Sequence, residues 1–296
     1  MKRLVFILSV IIFFSANVFA QDGKDTTKHW DIGSITSFTI NQTMLSHWAA
    51  GGQNSLAING MSKIHANYKK GKVLWSNSLD LGYGVLKQQD KPMRKTDDRI
   101  EFNSQYGFKA FENFYYTVLF NFKSQFSPGY QYTDNDSVKI SNFLAPGYLV
   151  FSGGMNYEPN KHLGIYASFI SAKMTLVMDP DLSAIGAFGV DSGKTVRYEL
   201  GAYLKFNFSR EIIKNVTLNA KVDLFSNYLK NPQNVDVNAD VFVAYKATKY
   251  LTINARIQSI YDDDIKILLD EQTGRRGPRL QTMEIFGLGL TFKFPN

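Results

Sequence analysis

The residues able to do chemistry here are charged ones set at every second position within apolar stretches. Arg99 and Glu101 form one such pair, Arg197 and Glu199 another, Lys221 and Asp223 a third. Lys123, Asp240 and Arg256 hold the same phase in neighbouring stretches. Successive side chains of an extended chain point to opposite faces. The charges therefore share one face, while Phe102, Tyr198, Leu200, Val222, Val241 and Ile257 take the other. A face of interspersed acids and bases can line a narrow water-filled path for small hydrophilic solutes. It can equally pair off into a ladder that fills the interior, because buried charges are tolerated when paired and cost several kcal/mol when not. Lys63, Lys109, Lys205, Lys246 and Lys293 lie on this face too, against Asp80, Asp236 and Asp262. The excess of bases would favour anions in an open path; the sequence leaves filled and open interiors both standing.

Other chemistries find less support. The four histidines are His29, His47, His65 and His162. His65 shares a face with Asn67, but no serine stands beside it as a nucleophile needs. Ser46 and His47 are adjacent and so point opposite ways. No catalytic residue is expected. Asp262-Asp263-Asp264 and Asp179-Pro180-Asp181 are rich in oxygen but lack the spacing and terminal glutamate of a calcium loop; no metal and no cofactor is expected. A loop block is more distinctive: His47, Trp48, Gly51, Gly52 and Asn54 lie between two strand-like stretches, and the glycines permit positive φ. The block reads either as a constriction folded into the interior or as a loop whose tryptophan packs at a membrane interface.

The elements that must hold these residues are long strands. Period-two alternation runs through almost the whole chain. Twelve strands are predicted near 32–40, 55–69, 72–86, 98–111, 113–127, 145–158, 162–172, 194–209, 214–229, 234–247, 249–262 and 279–294. At roughly 10–15 residues most exceed the usual globular strand. The last alternates Phe286, Leu288, Leu290, Phe292 and Phe294 against Gly287, Gly289, Thr291 and Lys293. Short links at 70–71, 112, 159–161, 210–213 and 248 alternate with long ones at 41–54, 87–97, 128–144, 173–193 and 263–278; the link at 230–233 is an exception. Strand one alternates poorly and reads either as a wall strand or as a plug or inner segment, leaving eleven; 173–178 reads as a further strand or an extension, so ten to fourteen strands bracket the count. The fold expected is all-β, a transmembrane antiparallel up-and-down barrel of about twelve strands with short periplasmic turns and longer outer loops.

The chain opens with Lys2-Arg3, an apolar run from Leu4 to Phe14, and small residues Val18 and Ala20 before Gln21-Asp22-Gly23. That is the pattern of a cleaved secretory signal peptide over 1–20, leaving 21–296 as the barrel domain. The run is shorter than the roughly 18 residues that span a bilayer. With 33 Lys and Arg against 26 Asp and Glu the formal charge is +7. The bases form no run, which argues against nucleic acid as a partner. Cysteine is absent, so no disulfide framework is possible, and the 23 Phe, 16 Tyr and 3 Trp suit barrel girdles.

The stretch Thr43-Met44-Leu45-Ser46-His47-Trp48-Ala49-Ala50-Gly51-Gly52-Gln53-Asn54-Ser55 resembles the W-x-x-G-G-x-N-S signature of an outer-membrane family catalogued as domain of unknown function 3078. Trp75-Ser76-Asn77, Lys95-Thr96-Asp97-Asp98, Gln125-Phe126, Ser141-Asn142-Phe143-Leu144-Ala145-Pro146 and Tyr261-Asp262 resemble its later blocks in order. The resemblance implies a Gram-negative outer-membrane barrel and no assigned activity.

The expectation is a monomeric, non-enzymatic barrel of the outer membrane, with its lipids as partners. Its leading function is passive passage of small hydrophilic solutes. The alternative is a non-conducting structural or interaction barrel that meets a surface partner through loops 128–144, 173–193 and 263–278.

Overall fold

The computed structural model describes residues 29–45, 53–89, 91–132, 136–269 and 275–294. The expected signal peptide and His47, Trp48, Gly51 and Gly52 lie outside them. In chain order the strands are β1 (Trp30–Thr43), β2 (Ser55–Lys70), β3 (Val73–Gln88), β4 (Arg94–Phe111), β5 (Phe114–Ser124), β6 (Gly129–Tyr132), β7 (Ser137–Ser141), β8 (Gly147–Asn160), β9 (Leu163–Leu176), β10 (Val196–Ile213), β11 (Val216–Asn227), β12 (Val235–Lys246), β13 (Leu251–Tyr261), β14 (Ile267–Leu268), β15 (Arg276–Gly277) and β16 (Gln281–Phe294). One short helix, α1 (Pro180–Ala184), sits between β9 and β10.

Twelve strands close into an antiparallel barrel, each paired with its chain neighbour, and β1 completes the ring by pairing with both β2 and β16. Closure removes every unpaired strand edge, as hydrocarbon requires of a spanning sheet. The hairpins β6–β7 and β14–β15 stand apart from the wall, inside two of the long connections. Strand one is thus a full wall strand. Its alternation reads poorly because Ser34 and Thr36 share the outer face with Ile32 and Phe38. Thr36 makes a 3.0 Å hydroxyl contact with Ser62 on β2. Residues 173–176 extend β9 and form no separate strand.

Which side meets lipid follows from exposure. Phe286, Leu288, Leu290, Phe292 and Phe294 all face outward, Phe286 at 75% exposure, and Phe169 reaches 82%. A soluble monomer rarely shows so large an apolar surface. Among the described residues no helix is long and apolar enough to cross a membrane. Aromatic rings mark both borders of the band. Trp30, Tyr68, Trp75 and Tyr106 touch in series near the short turns, and Tyr83 meets Phe126 near the other rim.

The closing seam is tight. A Cβ on Gly289 would stand 2.3 Å from the Phe38 carbonyl oxygen of β1, so only glycine fits at that register. Gly289→Val is expected to lower unfolding stability by roughly 1–3 kcal/mol through overpacking, read by urea unfolding of vesicle-inserted protein. An unchanged midpoint would contradict the seam.

Candidate functional site: the lumen

Parity carries the charged side chains into the interior, and the barrel is narrow enough for them to meet across it. Glu101 on β4 bonds Lys221 on β11 and lies 3.7 Å from Lys123 on β5. Lys123 meets Asp223 at 2.8 Å, and the Tyr203 hydroxyl donates to Asp223 at 2.7 Å. The amides of Asn103 and Asn121 donate to Glu101 at 3.1 Å each, and Lys205 donates to Asn103 at 2.7 Å. β4 and β11 stand five places apart in the ring of twelve. These bonds therefore span close to the full bore and form a continuous polar layer at mid-height.

Above this layer, towards the long loops, lies a second cluster. Lys173 meets Asp236 at 2.6 Å, Glu199 at 3.6 Å and Asp262 at 3.7 Å; Arg197 meets Glu199 at 2.9 Å and Asp264 at 2.7 Å. The Asp262 and Asp264 carboxylates thus engage bases of the wall. Over them lies the connection 177–195, whose Val177, Leu182 and Val190 bury against Ala145. Gly189, at φ +75°, lies beside the Arg197 guanidinium, whose Nη1 would stand 2.4 Å from an added Cβ.

A latch holds that connection in place. Asp179 caps α1 by accepting from the amides of Asp181 and Leu182, and Lys139 of β7 reaches it at 2.7 Å and Asp181 at 2.6 Å. Burial alone would raise Asp179. The Lys139 and Asn142 hydrogen bonds and the Leu182 amide outweigh it and hold the carboxyl at about 2. The same bonds to Asp179 and Asp181 push Lys139 up to about 12. A depressed acid stabilises above its ordinary value of 3.8 and loses that contribution as pH falls through about 2. A raised base stabilises below 10.5 and loses it as pH rises through about 12. Lys139→Met is therefore expected to move the acid-side loss of Leu182 amide protection to higher pH in hydrogen exchange. No movement would mean that the latch does not hold the connection.

Below the layer the interior opens. A cavity of about 1600 Å³ reaches from the short-turn rim up to Asp80, Arg99, Glu101, Lys221, Asp240 and Arg256. Arg256, only 4% exposed, bonds Asp240 from its Nε at 3.0 Å and again through Nη2. Arg99 makes no ion pair among the described residues, and its Nε and Nη1 are buried without a hydrogen-bond partner.

The charged residues picked out by their spacing therefore fall into three groups. Glu101, Lys123, Lys221 and Asp223 form the mid-barrel layer, Arg197 and Glu199 join the upper cluster, and Arg99, Asp240 and Arg256 stand where the cavity ends. Of the loop block only Asn54 is described. Its side chain accepts from the Leu45 amide at 2.6 Å, closing the base of the loop between β1 and β2. An apolar cluster also lies within the bore: Leu119, Val150, Tyr166, Tyr203 and Phe225. Leu119 sits in phase between Thr117 and Asn121, and that phase alone marks it as inward.

The sequence model of the family described as "Protein of unknown function (DUF3078)" matches residues 40–130. The stretch contains the Trp48 block and the blocks at Trp75, Lys95 and Gln125. No curated protein matches the chain. Solved structures with a similar chain course include an outer membrane channel from Pseudomonas putida F1, 11% identical over 94% of this chain and 99% of that one, with a TM-score of 0.39. The translocator domain of autotransporter NalP from Neisseria meningitidis is 11% identical over 99% and 96%, with a TM-score of 0.38. Outer membrane phospholipase A from Escherichia coli is 12% identical over 91% and 94%, with a TM-score of 0.36.

Proposed function

We propose that this chain is an outer-membrane channel for small hydrophilic solutes that rests closed. Solutes enter a cup facing the periplasm, and the mid-barrel ion-pair layer shuts the path. One observation carries the reading: the cavity reaches the Glu101–Lys221 ion pair of the layer, which is made by side chains. Side chains can swing aside without unpairing the wall. The short turns go to the periplasm and the long connections to the outside, as in barrels of this class, with lipid around the apolar band. The N-terminal pattern of 1–20 supports export. No catalytic step is assigned.

A second reading has its own support. The apolar packing of Leu119, Tyr166, Tyr203 and Phe225, with the folded connection above it, favours a permanently filled barrel that works through its outer loops. Liposome swelling separates the two. The charge-neutral variant Glu101→Ser/Lys221→Ser removes one acid and one base together and is expected to admit arabinose several-fold faster than the parent chain. A variant that folds, by its heat-modifiable gel migration, yet swells no faster would favour the filled barrel.

A further inference from the structure

The cavity wall carries nine lysines and arginines against five aspartates and glutamates, a surplus of four positive charges. The surplus is confined to one side of the layer. Within the layer Lys123 and Lys221 each meet a carboxylate, and above it Lys173 and Arg197 do so. Below it, among the described residues, only Arg256 is paired. Lys63, Lys69, Lys161, Lys246, Lys249 and Lys293 line the cavity with no carboxylate within ion-pair distance among the described residues, although Asp80 stands opposite Lys63 in register. Arg99, at the inner end, makes no ion pair among them but faces Asp97 and Asp240. Several of the acids there are already engaged. Asp240 is held by Arg256, Glu158 by the Asn156 amide and Glu211 by the Asn215 backbone.

Two of the lysines form an ordered pair. Lys63 on β2 and Lys293 on β16 both register opposite Ile35 of β1, which lies between them and is 45% exposed towards the lumen. Flanking strands place the two backbones about 10 Å apart. Two ammonium groups carried on backbones so spaced can each meet a separate anionic group of one molecule. A concave wall with a surplus of one sign concentrates such ligands further.

We infer that the cup is a binding site for multivalent oxyanions, small molecules carrying two or more carboxylate, phosphate or sulfate groups, held between the Lys63–Lys293 pair and Arg99. The inference deepens the channel reading and rests on it for the side from which the ligand arrives.

The test is isothermal titration of the full chain, refolded in zwitterionic detergent, with inorganic tripolyphosphate. Saturable binding is expected, weakening at least tenfold between 20 and 300 mM salt, the range over which surface charges become screened. Lys63→Gln/Lys293→Gln, both exposed and indifferent to folding, should weaken it at least tenfold, and Arg99→Gln should do likewise. Lys194→Gln on the outer connection should change nothing. Absence of saturable binding would overturn the inference, as would equal losses for the cup and outer-connection variants. Citrate against tripolyphosphate in the same assay separates carboxylate from phosphate preference. Binding without any swelling of the layer-opened variant would sink the channel and keep the site. Swelling without binding would do the reverse.

Discussion

Replacing Glu101 with alanine should destabilise the folded barrel by roughly 3 kcal/mol, because removing one partner of a buried ion pair leaves the others uncompensated. Glu101 is 7% exposed, accepts from two asparagine amides and faces both Lys221 and Lys123. Without it, Lys221 keeps only Asp223 at 4.0 Å, and Lys123 must share that same carboxylate. Urea unfolding from vesicles reads the loss. The companion Glu101→Gln/Lys221→Met should recover most of it, since acid and base leave together and the amide keeps the polar contacts. A single variant within about 0.5 kcal/mol of the parent would place Glu101 in free water, and the layer would not be a barrier.

The second large effect lies one residue away on the opposite face. Val222 occupies the middle of β11, opposite Phe206 and Ala239 on the flanking strands. Val222→Arg is expected to cost about 2–4 kcal/mol, the penalty of a basic side chain near the bilayer midplane. Asn219→Arg, on the same strand but within the wet cup, should cost less than about 1 kcal/mol. The contrast depends on phase alone, since a one-residue slip would exchange the two faces. Equal costs at the two positions would contradict the register of the whole wall.

Phase also explains what the sequence makes legible. Lys221, Asp223, Val222 and Leu224 disclose both faces of β11, because lipid and lumen demand opposite chemistry at alternate positions. The wall strands after β1 follow from that contrast, with ends displaced by a few residues, as at β4, which begins at Arg94 and not at 98; β1 blurs it, because Ser34 and Thr36 face outward. The interior is harder to read. Alternation says that Glu101 and Lys221 point inward but not that they meet, since their approach depends on the bore and on which strands stand opposite. Leu119 and Tyr203 are inward residues of the type expected outside, so a rule built on polarity skips them. The connection 177–195 folds over the mouth through Leu182 and the Lys139–Asp179 latch, contacts between distant segments with no local pattern.

Single-channel current across a planar bilayer tests the central claim, that a displaceable ion-pair layer closes a polar path. The parent chain should hold the bilayer closed at low voltage. Glu101→Ser/Lys221→Ser should give discrete steps, with anions carrying most of the current, as the unpaired cup lysines require. A correctly inserted variant that passes no current would contradict the account and leave a barrel filled throughout its length.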